Sequence, residues 1–175
     1  MMSIVYIFWM YVVLFAIVGG MRGWAKELLV SFSVVLALAL NHVISRYIPS
    51  AASLNVTLFF WMRTLILILL VFFGYQTVIS IQRLASKAVR ERLGDTLLGI
   101  VLGAFNGYLI AGTILYYMHV ANYPYPDVIS RPPEPSALMD TVTQYMLRMP
   151  PQLLGEPLIY FVVILAFIFV IVVYI

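Results

Sequence analysis

Cysteine is missing altogether, which excludes disulfides and thiolate-bound metal and leaves the redox compartment unread. Charge is scarce as well. Asp, Glu, Lys and Arg make up 10% of the 175 residues, against about 25% in a soluble domain. The patterns H-E-x-x-H, G-x-x-x-x-G-K-[ST] and G-x-S-x-G do not occur, so a zincin helix, a phosphate-cradling loop and a nucleophile elbow have no sequence support. The acids read as loop residues without a shared pocket, and no serine is paired with a histidine and a base. A net charge of +3 in short clusters suits topology signals and anionic headgroups better than nucleic acid. The expectation is a chain with no catalytic residue, no metal and no cofactor.

Apolar sequence is what abounds: 64% of residues are hydrophobic and the mean hydropathy is +1.05. A water-soluble fold of this length could not hide so much apolar surface, whereas lipid solvates it. Five runs, 1–18, 28–48, 57–79, 96–120 and 158–175, approach the roughly 20 apolar residues that a spanning helix needs. Continuous rather than alternating, they favour helices, which satisfy their own backbone hydrogen bonds in lipid. The first run lacks a basic n-region and a convincing cleavage site, so it reads as a retained helix. The expected fold class is an all-α integral membrane protein, one polytopic domain of about five transmembrane helices with two amphipathic surface helices.

Orientation follows Lys and Arg. Arg22, Lys26, Arg83, Lys87, Arg90 and Arg92 fall on one side, and Arg46, Arg131 and Arg148 on the other. The first set is expected at the cytoplasmic headgroups, with the N-terminus outside and the C-terminus inside. Within the connector 80–94, Ile81, Leu84, Ala85, Ala88 and Val89 recur at helical spacing, as in an amphipathic helix on the inner surface. The outer arm, 121–157, holds eight of the nine prolines. Its first half should be extended; a second amphipathic helix should then run from Ala137 to Met149, capped by Ser136 and ended by Pro150-Pro151.

Gly99, Gly103 and Gly107 stand four apart in the fourth run, followed by Ala111, a stripe that lets another backbone approach closely. Packing within the bundle and an interface with a second chain both fit it. Arg63 is the basic residue well inside a span, expected to snorkel toward the outer end, with an ion-pathway role as the sharper alternative. Gln76 and Asn106 are candidate interhelical hydrogen-bonding groups. His42 and His119 near the outer helix ends are candidate pigment or haem ligands, set against a plain role as polar end residues. Trp9, Trp24, Trp61 and the tyrosines fit interfacial belts. At the first turn, Gly19-Gly20 and Gly23 permit a tight hairpin, and Glu27 suits the positive end of the second helix's dipole.

Two stretches carry a family resemblance. Gly20-Met21-Arg22-Gly23-Trp24-Ala25-Lys26-Glu27-Leu28-Leu29 and Asp95-Thr96-Leu97-Leu98-Gly99-Ile100-Val101-Leu102-Gly103-Ala104-Phe105-Asn106-Gly107 together resemble the bacterial colicin V production protein family. That family has an Arg-Gly and a basic-acidic pair leading into its second helix, then a charged residue, Leu-Gly, a further Gly and an Arg-Gly. Here Asn106 replaces the arginine of the last pair. The likeness covers roughly residues 1–150 and omits the fifth helix. It implies a bacterial inner-membrane protein tied to colicin V export and envelope homeostasis, without an established enzymatic mechanism. The expected role is a non-catalytic scaffold whose partners are lipids, other membrane subunits or a second copy of itself. An accessory subunit of a respiratory or photosynthetic complex is the alternative, and a small channel or transporter component the third reading.

Overall fold

The computed structural model describes residues 4–48, 54–76, 92–127, 129–133 and 136–174. Every regular element among them is helical: α1 (Ile4–Arg22), α2 (Trp24–Tyr47), α3 (Val56–Gln76), α4 (Arg92–Val120), α5 (Ala137–Met146), α6 (Pro150–Leu153) and α7 (Leu158–Tyr174). Helices α1 to α4 are long and apolar enough to cross a membrane; at 1.5 Å per residue they measure about 28 to about 43 Å. The fifth expected span, α7, is a shorter apolar helix with 17 described residues.

Helix α4 is the hub. It runs along α1 for most of their shared length, contacts α2 and α3, and meets α6 near its C-terminal end. Its inward residues Asn106, Leu109, Ala111, Thr113, Leu115 and Tyr117 are buried. The outward faces remain apolar: Tyr6, Val13 and Ile17 on α1 and Leu65, Leu69 and Phe73 on α3 are exposed, a surface that lipid would solvate better than water. Helix α7 lies against α2, antiparallel to it, with Phe32 and Phe167 in an edge-to-face pair at 5.0 Å.

Several boundaries differ from the sequence expectation. Helix α1 does not stop at Gly19-Gly20 but continues to Arg22, and the chain breaks only at Gly23, with φ 84°. The two earlier glycines serve packing instead: a Cβ on Gly19 would lie 2.7 Å from the Gly103 Cα. Helix α4 begins at Arg92 rather than 96. Pro150 does not end the outer helix. Ser136 caps α5, its Oγ accepting from the Met139 N–H at 3.1 Å, and α5 closes at Met146. Pro150 then opens α6, because the first turn of a helix needs no N–H from its first residue. Residues 80–91 of the expected amphipathic connector, with Arg83, Lys87 and Arg90, lie outside the described residues, as does the side chain of Arg92; 92–94 belong to α4.

Candidate functional site

Two polar clusters sit at opposite ends of α2. The first centres on Glu27, whose side chain is 0% exposed. Its Oε1 accepts from Arg22 Nη1 at 2.8 Å, and its Oε2 accepts from Asn106 Nδ2 at 2.8 Å. The same Asn106 amide reaches the Glu27 backbone carbonyl at 2.9 Å, and Asn106 Oδ1 accepts from Ser31 Oγ at 2.6 Å. Arg22 also donates to the Tyr75 carbonyl at 3.3 Å and lies 4.1 Å over the Tyr75 ring. One connected set of groups therefore ties α1, α2, α3 and α4 together. A buried ion pair is tolerable only with its remaining hydrogen-bonding capacity satisfied, and both carboxylate oxygens here are engaged.

This arrangement corrects two expectations. Glu27 is not a loop acid or merely a dipole partner but a buried carboxylate inside α2. Arg22 turns inward to it rather than out to headgroups. The sequence signal was present in outline: Ser31 lies one helical turn from Glu27, and Asn106 adjoins Gly107 on the face that α4 buries. What sequence does not reveal is the 79-residue separation that folding closes between Glu27 and Asn106.

The glycine stripe packs within the bundle. Gly99 faces the Gly19 carbonyl, Gly103 faces the Phe15 carbonyl with a Cβ position 2.8 Å from the Gly19 Cα, and a Cβ on Gly107 would meet Val12 Cα at 2.9 Å. All three contacts are with α1. Ala111 continues the stripe into the cluster formed with Phe8, Val12 and Val142. At the α1–α2 junction Asp95 closes the hairpin, its Oδ1 accepting from the Trp24 N–H at 3.0 Å.

The second cluster surrounds a cavity of 160 Å³ between α2, α3, α4 and α6. Arg63 leans toward the start of α3, with Phe59 one turn nearer that end beneath its guanidinium. Its Nη2 donates to Ser45 Oγ at 2.7 Å, and its guanidinium stacks 3.9 Å from the Phe59 ring and 5.2 Å from that of Tyr117. The ring faces attract it, and Ser45 lies two residues before the end of α2. Asn41 Nδ2 donates to the Arg63 carbonyl at 3.1 Å and to the Tyr117 hydroxyl at 3.3 Å. Arg63 Nε and Asn41 Oδ1 are buried without a hydrogen-bond partner. At the cavity's rim His42 Nε2 meets Glu156 Oε1 at 2.8 Å, and Arg46 stands 4.0 Å from the same oxygen.

Among the described residues no group of three or more His, Cys, Asp or Glu side chains could hold a metal ion. His42 is engaged with Glu156 and packs edge-on against Tyr160, and His119 pairs with the Tyr123 hydroxyl at 3.2 Å. Gln76 is exposed at the last residue of α3, and Lys26 is half-buried. No protein-family model, curated protein or solved structure matches this chain. Between the two clusters α2 rises about 21 Å from Glu27 to Asn41, and Val34, Leu67 and Leu109 fill the interval, all buried.

Proposed function

We propose that this protein is a non-catalytic scaffold of the bacterial inner membrane, related in role to the colicin V production protein family, and that it works through contacts with other membrane-embedded subunits. The observation that carries the reading is the saturation of Glu27. A carboxylate held on one oxygen by Arg22 and on the other by Asn106 is a structural fastening of four helices rather than a group poised to exchange protons. The apolar layer of Val34, Leu67 and Leu109 supports a sealed bundle over a channel or transporter, whose sites gather polar groups along a continuous path.

In this reading the turn between α1 and α2, with Met21 and Lys26, lies on the cytoplasmic side, the N-terminus is outside, and α7 is a fifth membrane helix. Because the chain has no cysteine, single cysteines introduced at Met21 and Ile48 report orientation without background. The Met21 position should resist a membrane-impermeant maleimide in intact cells and the Ile48 position should react; the reverse pattern overturns the assigned topology. The scaffold role itself is tested by in-cell crosslinking from α7 positions and recovery from gently solubilised native membranes. A reproducible larger assembly is expected, and migration only as an isolated small species defeats the proposal.

A specific feature favours a second reading, an accessory subunit of a larger respiratory or photosynthetic complex. Phe161, Ile164, Leu165 and Ile168 leave the outer face of α7 apolar and uncovered by this chain, as suits a helix wedged between neighbouring subunits. Co-migration with redox-active subunits on native gels separates this from the first reading.

A further inference from the structure

The arm between α4 and α7 carries polar side chains to a level at which another flank of the bundle is apolar. A Cβ on Gly112 would lie 2.9 Å from both Met149 Sδ and Pro150 Cδ. Gly112 stands eight residues before the end of α4, about 12 Å along its axis. The hydroxyl of Tyr108, one turn further down, donates to the Arg148 carbonyl. Tyr116 donates to Gln152 Oε1 at 2.9 Å, and His42, five residues before the end of α2, meets Glu156 Oε1 at 2.8 Å. The stretch from Arg148 to Glu156 is therefore fixed roughly 8 to 12 Å below the ends of α2 and α4, not laid across them.

Along this stretch Gln144, Arg148, Gln152 and Glu156 recur every four residues, and all four are exposed. Helix α3 presents the opposite character at the same level. It runs antiparallel to α4, with Phe60 near Tyr117 and Leu67 near Leu109, so the level of Gly112 falls between Leu65 and Leu69. Leu65, Ile68 and Leu69 are all exposed there. Hydrocarbon solvates leucine and excludes amides and carboxylates. An arginine can lift its charge on a long stem. Gln152 and Glu156 are shorter, and Tyr116 and His42 hold them where they stand.

We infer that the bilayer is thinned on the flank of this arm alone. Phospholipid headgroups and their water reach down to the edge formed by Gln144, Arg148, Gln152 and Glu156, while acyl chains keep their height against α3. The partner of this edge is the headgroup layer, which offers donors and acceptors to its amides and charges. Lipid accommodates a short apolar flank by thinning at modest cost, whereas fixed polar groups cannot leave hydrocarbon by tilting. The inference rests on α1 to α4 crossing the membrane and is independent of any scaffold role.

Because the chain has no cysteine, single cysteines in the full chain can each carry a nitroxide in dioleoylphosphatidylcholine vesicles. Collision with oxygen, which concentrates in hydrocarbon, is compared with collision with a water-soluble nickel chelate. Arg148→Cys and Gln152→Cys should favour the chelate several-fold more than Leu65→Cys and Leu69→Cys. Leu153→Cys, at an exposed apolar position beside Gln152, leaves the polar edge intact and should read as its neighbours do. Hydrocarbon readings at 148, 152 and 153 would immerse the arm and overturn the inference. Chelate-rich readings at 65 and 69 equal to those of the arm would set one level boundary around the bundle, and overturn it too. Val13→Cys on the exposed face of α1 separates the two failures: a chelate-rich reading there would mean that the bundle is not in lipid at all.

Discussion

The side-chain amide of Asn106 on α4 donates to both the carboxylate and the backbone carbonyl of Glu27 on α2, at 2.8 and 2.9 Å. With Arg22 on the other carboxylate oxygen, the buried acid is held from two helices at once. Arg22→Leu should therefore leave the carboxylate unpaired and lower stability by about 3–5 kcal/mol, read as the melting temperature in detergent. Converting both partners, Arg22→Leu with Glu27→Leu, should recover most of that loss, because two matched apolar groups leave no stranded charge. A double variant as unstable as the single one would show that the pair matters for something other than its charge.

Ser31→Ala removes one neutral hydrogen bond to Asn106 Oδ1. We expect a loss of about 1 kcal/mol, small beside the arginine effect. A drop as large as that of Arg22→Leu would mean that the serine, not the ion pair, organises the cluster.

Gly103→Ala places a Cβ against the Phe15 carbonyl and 2.8 Å from the Gly19 Cα. Backbone atoms of a neighbouring helix cannot rotate away as a side chain can, so α1 and α4 must separate, with an expected cost of about 1–3 kcal/mol. Sizing chromatography should show no change in oligomeric state, since the stripe faces α1 of the same chain. Loss of a dimer with an unaltered melting temperature would place the stripe at an interface between chains instead.

Hydrogen bonds from His42 and then Tyr160 hold the Glu156 carboxyl below its ordinary value of 4.5. The sign follows from linkage: a group with a depressed folded-state pKa contributes stability above its unfolded value, and that contribution fades as the pH falls through the lower folded value. Wild type should therefore lose melting temperature on acidification across roughly pH 3–5 more steeply than Glu156→Gln. Glu156 is 43% exposed and its charge is screened by solvent, so the difference should be modest. Parallel curves for the two proteins would remove the His42–Glu156 contact as a contributor.

The parts of this molecule legible in sequence are those that repeat along one helix. Gly99, Gly103 and Gly107 announce a close helix contact by spacing alone, and the apolar runs of α1 to α4 announce their length. What sequence reads poorly is a polar residue whose partner is remote. Glu27 looked like a helix-start acid because its position relative to Trp24 fits one; its burial comes with Asn106, 79 residues further along. The partners that Arg63 meets, Ser45 and Tyr117, lie 18 and 54 positions away and share no periodic pattern with it. The glycines at 19 and 20 misled for a related reason. Both turning and close packing call for a missing Cβ, and only the presence of α4 decides which operates.

Asp95 has a bearing on how the protein is made. The amide of Trp24 opens α2 directly after the break at Gly23, and its acceptor is a side chain 71 residues further along. During synthesis the first two helices thus leave the ribosome with their junction uncapped, and the cap arrives only with the start of α4. The opening hairpin is completed by a residue translated after the third helix, so its final geometry is reached only once α4 has joined the first two helices.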